Sequence, residues 1–201
     1  QTPAASVTAT KIAVQSAVIV SKAPATIKTK VPLSPLQNFT KMVMDGKAGI
    51  VRGVYVEGIL ALRVVQQPGK DWAFVSTDDG TVTQFQSATG NGVTGLLAHN
   101  YLSGQLFYQL SLGKEVDVVF GDGGIRRYQV INILKFQKLD VNSLTSDYID
   151  LRNGKRVTTN DVFSQVYSGG DRVTLQTCID QDGLSNWGLI FYIARPFLSG
   201  N

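Results

Sequence analysis

The chain has 201 residues, of which 43% are hydrophobic and 17% are charged, and its formal net charge is +4. This composition is typical of one globular domain with a sizeable core, and the dispersed Lys and Arg residues argue against a nucleic-acid partner. The single cysteine excludes a scaffold held by internal disulfides, and with only one histidine the chain cannot form a zinc site of the usual Cys/His type.

Residues 1–32 are rich in Ala, Thr, Val, Lys and Pro and show poor periodicity, which predicts an extended arm or linker. Within it, Ala13–Val20 could form a strand. The opening letters, QTPAAS, are typical of a mature or trimmed protein, so we expect any signal or membrane anchor to lie upstream. No run approaches the ~18 apolar residues that span a membrane.

A short helix is predicted near residues 35–44. Ser34 can cap its first turn, and Pro35 suits the first helical position. The predicted organisation is therefore an N-terminal arm with a short helix at 1–46, followed by a second domain at 47–201.

From residue 47 onward the sequence is typical of a β protein. Short segments rich in Val, Ile, Phe and Tyr are separated by Gly, Pro, Asp and Asn at a spacing of ~8–12 residues, which favours a sandwich or barrel. Helix-length periodic segments do not alternate with them, which disfavours a parallel α/β fold. The segments are AGIVRGVYVEG, ILALRVVQQPG, WAFVSTDDG, TVTQFQ, TGLLAH, EVDVVFGDGG, RRYQVINILKF, RVTLQTC and WGLIFYIARP.

Two short helices are predicted among the strands, at SGQLFYQLSL and TNDVFSQVY. The longest connection runs from Leu139 to Gly170. Long ordered connections in compact domains are often functional.

The only cysteine, Cys178, ends the segment RVTLQTC. The period of two in a strand places it on the face shared by Arg172, Thr174 and Gln176, which is polar. A lone cysteine is often a small buried hydrophobe, and it can also be an unreactive surface thiol. Its polar neighbours leave a third interpretation open, a reactive nucleophile.

The only histidine, His99, lies at the end of another strand segment, TGLLAH. It could be a structural hydrogen-bonding residue, but a thiol at neutral pH needs a neighbouring base or cation to become a good nucleophile. Arg195, at the end of WGLIFYIARP, could be a solvated strand-end charge or a donor to the oxyanion of an acyl-transfer reaction.

Three of these segments resemble the sortases, the cysteine transpeptidases that attach exported proteins to the cell envelope. TLQTC at residues 174–178 matches the TLxTC motif of that family, LLAHN resembles the strand that delivers its histidine, and IFYIARP resembles its last strand. Ala98 stands where the family usually has Gly. The resemblance covers residues 47–197, is specific at the three motifs, and does not extend to residues 1–46.

The resemblance implies an all-β fold, a sortase-like eight-stranded β-barrel with short helices. It implies Cys178 as nucleophile, His99 as general acid/base and Arg195 as stabiliser of the substrate carbonyl and oxyanion. The enzyme would cleave a C-terminal sorting signal through a thioacyl intermediate and transfer the acyl group to an amine of a cell-wall precursor or protein lysine. No cofactor and no metal are expected.

The resemblance also implies substrate-binding roles around the site, for Thr177, Ala98 and Asn100. We expect the segment 139–170 to shape an apolar groove that takes the sorting signal as an extended peptide. The expected partners are exported proteins with such a signal and an amine acceptor, and the expected location is the cell surface.

Other functions stay open at this point. Water instead of an amine could resolve the thioacyl enzyme, which would make the protein a cysteine hydrolase on the same fold. The barrel could also be a non-catalytic surface-binding module, against which the presence of all three polar residues argues. An unrelated β-rich cysteine peptidase would need an Asn or Asp that orients His99.

Overall fold

The computed structural model describes residues 33–69, 71–143 and 145–197. The arm and the strand predicted within residues 1–32 lie outside these ranges. The described chain is mainly β with short helices, as expected. Its elements are α1 Pro35–Val43, β1 Val51–Val56, β2 Leu60–Gln66, β3 Thr81–Phe85, α2 Gln86–Thr89, β4 Val93–Leu97, a 3₁₀ helix Ser103–Gln109, β5 Glu115–Phe120, β6 Ile125–Lys138, β7 Tyr148–Asp150, β8 Lys155–Val157, α3 Thr159–Tyr167, β9 Arg172–Gln181 and β10 Leu184–Pro196.

The strands form a closed barrel. Eight of them follow the order β10-β9-β4-β3-β2-β1-β5-β6, and β6 pairs again with β10 to complete the ring. The predicted eight-stranded barrel is therefore confirmed. Two neighbouring pairs, β2–β3 and β4–β9, are parallel, whereas the others are antiparallel. β7 and β8 continue the sheet outward from β6 as a hairpin.

Apolar side chains on alternate strand positions fill the barrel, as the period of two requires. Val54, Leu62 and Leu175 belong to this interior, and Phe107 of the 3₁₀ helix packs with them and is fully buried. A second apolar layer lies on the outer face of β4, β6 and β10, where α3 covers the sheet. None of the helices in the described ranges is long and apolar enough to cross a membrane.

The helix α1 forms where the sequence predicts it. The Ser34 hydroxyl accepts a hydrogen bond from the backbone amide of Gln37, and the Ser34 backbone amide donates one to the Gln37 side-chain oxygen, so the first turn is closed on both sides. Phe39 packs against the barrel wall over Gly53, where a Cβ would come within 2.7 Å of the Phe39 ring. The division at 46/47 stays a prediction.

One local prediction was wrong, and one element was not predicted. WAFVST, residues 72–77, is not a strand, because the Gln67 side-chain amide donates to the carbonyls of Trp72 and Phe74 and holds this segment as a loop. The connection 139–170 contains the unpredicted hairpin β7–β8 in addition to the predicted helix.

Candidate active site

Cys178 lies on the outer face of β9, near the end of the strand. Val173 and Leu175 alternate with it and point into the barrel, where both are fully buried. The predicted division of β9 into two faces is confirmed, but the face that carries Cys178 is largely covered. Thr174 is buried and donates to the carbonyl of Val166 in α3. The thiol is free and half-buried at the edge of this covered region.

His99 lies beside Cys178 because β4 and β9 are parallel and in register. Leu97 pairs with Gln176, and the next amide along, that of Ala98, donates to the Gln176 carbonyl. His99 and Cys178 are each two residues beyond the Leu97–Gln176 pair, so the same register brings them side by side. The imidazole stacks on Tyr101 with 5.0 Å between ring centroids, so its plane is fixed from one side.

The 3₁₀ helix braces this pair of residues. Its Gly104 amide donates to the His99 carbonyl at 2.9 Å, and its Tyr108 hydroxyl donates to the Cys178 carbonyl at 2.6 Å. Phe107 and Leu110 anchor the same segment in the barrel interior. The backbones of both candidate catalytic residues are thus held by one buried segment.

Within the 3₁₀ helix, Gly104 packs tightly against the backbone of Ala98 and His99. A Cβ built there would lie 2.7 Å from the His99 carbonyl oxygen and 2.8 Å from that of Ala98, and both are backbone atoms that cannot swing aside. Gly104→Ala is therefore expected to lower the free energy of unfolding by about 1–3 kcal/mol and to displace the His99 corner. Chemical denaturation measures the first effect.

The matched control is Gly90→Ala. Gly90 ends α2 at φ −60°, and an added Cβ would meet nothing within 4 Å. The alanine should leave the protein as stable as before or slightly more stable, because it restricts the unfolded chain. Equal effects of the two substitutions would show that the Gly104 contact is not tight.

An apolar cavity of 300 Å³ opens beside the two residues. Cys178, His99 and Lys138 lie at its polar side, and Leu97, Leu189 and Phe191 of the sheet form its floor. The hairpin and α3 provide the opposite wall, so the connection 139–170 lies on the side of the site where we expected it. The residues of this wall are Tyr148, Thr159, Val162, Phe163, Val166 and Tyr167.

The wall is fixed by polar contacts at its ends. Thr158 caps α3 in a reciprocal pair with Asp161, and the Thr159 hydroxyl donates to the Ser146 carbonyl next to β7. Tyr167, at the last turn of α3, donates from its hydroxyl to the Gln176 side chain of β9. The helix is therefore tied both to the hairpin and to the strand that carries the thiol.

Arg195 does not join this site, and the expectation that three residues converge was wrong. Cys178 pairs with Leu189 near the start of β10, whereas Arg195 lies six residues further along the same strand. At about 3.3 Å per residue the separation is about 20 Å. There the Arg195 guanidinium donates to the carbonyl of Gly169, next to Arg172.

The three residues expected to bind substrate differ in their surroundings. Thr177 is 2% exposed, and its hydroxyl donates to the Ala98 carbonyl, so it fastens β9 to β4. Ala98 is buried in the barrel interior. The Asn100 side chain donates to the Ser185 carbonyl across the mouth of the site. Their roles toward a substrate stay predictions.

The electrostatics of the site centre on two groups. Burial raises the pKa of the Cys178 thiol, and the ammonium of Lys138 acts in the opposite direction and lowers it. Lys138 was not predicted from the sequence, because nothing in RRYQVINILKF or the residues after it indicates that β6 pairs with β10. The aromatic wall residues Tyr148, Phe163 and Tyr167 were not predicted either.

The fold and the site define a β-barrel protein with one thiol and one imidazole at the mouth of an apolar cavity. No protein-family model and no curated protein matches the sequence. Among solved structures the chain resembles sortases of several classes. At identities of 13–15% and TM-scores below 0.5 this likeness concerns the fold alone. Any conclusion about the reaction must therefore rest on the side chains of this protein.

Three of these solved structures represent different sortase classes. The sortase A of Listeria monocytogenes is 13% identical, with 77% of this chain and 89% of that chain covered and a TM-score of 0.47. The sortase D5 transpeptidase of Clostridium perfringens is 14% identical, with 80% and 86% covered and a TM-score of 0.47. The sortase C-1 of Actinomyces oris is 15% identical, with 86% and 84% covered and a TM-score of 0.46.

Proposed function

We propose that the protein is a cysteine transpeptidase of the sortase type, with Cys178 as nucleophile and His99 as general acid/base. The observation that carries the proposal is the register of β4 and β9, which brings the only histidine beside the only cysteine at the edge of a cavity. A thiol with an adjacent imidazole is the usual arrangement for covalent acyl transfer.

In the first step His99 accepts the thiol proton, and the thiolate sulfur attacks a backbone carbonyl of the substrate. A C–S bond forms while the carbonyl π electrons move to oxygen. The tetrahedral intermediate then expels the peptide amine, which takes its proton from His99, and a thioester to Cys178 remains.

In the second step an amine attacks the thioester. Neutral His99 accepts a proton from the incoming amine, the C–S bond breaks, and the leaving sulfur takes that proton from His99 to become a thiol. The products are a new amide and the free enzyme, so no net proton is consumed over the cycle. If water is the nucleophile, the same steps give a carboxylic acid.

The cavity supports an extended apolar peptide segment as the acyl donor. Its 300 Å³ volume suits one or two aliphatic side chains, and the alternate residues of an extended peptide point in the same direction. The proposed donors are therefore exported proteins with a C-terminal sorting signal. The acceptor is an amine of the cell envelope or of another protein, and the enzyme acts at the cell surface.

Mass spectrometry of the intact protein after incubation with a panel of sorting-signal peptides tests the proposal. The expected result is a mass increase equal to the N-terminal part of the peptide, located on Cys178. Addition of an amine such as triglycine should discharge this adduct into an amide product. Accumulation of free acid only, at saturating amine, would identify a hydrolase, and the absence of any adduct with every peptide would refute covalent catalysis by Cys178.

A further inference from the structure

The site needs a positive charge that Arg195 does not supply. When the thiolate attacks, negative charge moves to the carbonyl oxygen, and a preorganised donor at that position accelerates acyl transfer. Among the residues that line the cavity in the described ranges, the only Lys or Arg side chain is that of Lys138.

The register of three neighbouring strands places Lys138 on the same face as the thiol. Cys178 pairs with Leu189 of β10, and Leu189 pairs with Phe136 of β6. Lys138 is two residues beyond Phe136, so its side chain leaves the sheet on the same outer face, toward the mouth of the cavity. The aliphatic stem of Lys138 can extend along the surface of Leu189 toward the Cys178 sulfur.

Within residues 33–197, apart from the undescribed positions 70 and 144, no carboxylate forms an ion pair with the ammonium of Lys138. In the part of the chain that the structure describes, the five ion pairs involve Arg52, Arg127, Arg152 and Arg156 and their acidic partners, and none includes Lys138. A half-buried ammonium without an acidic partner is available to an anion that forms beside it.

The titratable groups around Cys178 come from six elements or their ends. They are His99 after β4, Tyr108 of the 3₁₀ helix, Lys138 at the end of β6, Tyr148 of β7, Tyr167 of α3 and Asp180 of β9. Burial raises the pKa values of the three tyrosines, so their phenols stay neutral at physiological pH. Lys138 is the one lysine of this set.

We propose that Lys138 is the charge that activates this site: its ammonium stabilises the Cys178 thiolate and then the oxyanion on the substrate. The second role rests on the function proposed above, whereas the first concerns the protein alone. Lys138 thus takes the role that the resemblance implied for Arg195.

The test is the pH dependence of Cys178 alkylation by iodoacetamide, a neutral reagent that reacts with the thiolate and needs no substrate. Lys138→Met keeps the apolar stem and removes the charge. Because Lys138 lowers the pKa of the thiol, its removal raises that pKa. The alkylation rate at pH 7 should fall about 3–10-fold, since one pKa unit corresponds to a factor of about 10. The difference in alkylation rate should vanish at a pH where the Cys178 thiol is fully ionised in both proteins.

Two variants make the result specific. Lys135→Met removes an exposed lysine of the same strand that does not line the cavity, and its alkylation profile should match that of the unchanged protein. Lys138→Arg keeps the charge and should restore most of the rate at pH 7. Circular dichroism and chemical denaturation establish that each variant is folded.

With a sorting-signal peptide, Lys138→Met should lower kcat on the order of 10²-fold with little change in KM, because the oxyanion exists only in the transition state. An alkylation profile identical in Lys138→Met and the unchanged protein would overturn the proposal. A shifted profile in a protein that forms no thioacyl adduct would instead refute the proposed function and leave Lys138 as the activator of the thiol.

Discussion

Replacing Cys178 by alanine is expected to abolish acyl transfer completely while leaving the protein folded. The sulfur is the only thiol in the chain, so no other residue can form the thioester. The side chain is half-buried at a strand end and contributes little to the core, so the free energy of unfolding should change by less than about 1 kcal/mol. Product analysis by mass spectrometry and a denaturation curve measure the two quantities.

Cys178→Ser is the stricter comparison, because it keeps the shape and a nucleophilic atom. A serine hydroxyl beside a single imidazole is far less ionised than a thiol, so transfer should also fall below detection. Substantial amide formation by Cys178→Ala would mean that the thiol is not the nucleophile and that the cavity binds peptides for another purpose.

Replacing His99 by alanine is the second large effect, a loss in the acylation rate on the order of 10²–10⁴. In the proposed mechanism the imidazole has two tasks, to accept the thiol proton and to protonate the leaving amine. No other imidazole exists in the chain to assume them. Single-turnover measurements of thioacyl formation separate this step from the later attack of the amine.

Added imidazole provides the control for His99→Ala. The vacated space beside Tyr101 can admit a free imidazole, which should restore part of the acylation rate in a concentration-dependent manner. The same addition should have no effect on Cys178→Ala. If His99→Ala acylates at the normal rate without imidazole, the stacked ring is structural.

The fold was largely predictable because its strands carry local signals. Alternation of apolar and polar residues, with Gly and Asp at the turns, marks most of the barrel strands. The face of β9 that carries Cys178 also followed from the period of two. What this alternation cannot show is the cover on that face. Thr174 and Gln176 are polar, yet α3 packs over them through hydrogen bonds to Val166 and Tyr167.

The placement of Arg195 was wrong although the chain contained the signal. Asp182 and Gly183 both have positive φ and form the two-residue turn between β9 and β10. Asp-Gly is the strongest sequence indication of such a hairpin. Counting back from this turn places the start of β10 beside Cys178 and Arg195 far from it. The resemblance of IFYIARP to the last strand of the sortases led to the prediction of Arg195, which lies at the wrong end of β10.

Lys138 could not be found from the sequence, for a topological reason. It approaches Cys178 only because β6 closes the barrel on β10, a pairing between segments about fifty residues apart. Local patterns contain no information on such closure. The hairpin β7–β8 was not predicted because each of its strands has only three residues, too few to show the alternation of apolar and polar side chains.

The parallel pairing of β4 with β9 has a consequence for the order of folding. Antiparallel neighbours such as β9 and β10 can close around a short turn, whereas β4 meets β9 only after the whole connection from Leu97 to Arg172 has returned along the barrel. In a chain that is still folding, Cys178 can already be held by β10 while His99 is distant. On the function proposed above, the thiol would therefore acquire its base late in folding, and a chain with an incomplete barrel would carry Cys178 without the imidazole beside it.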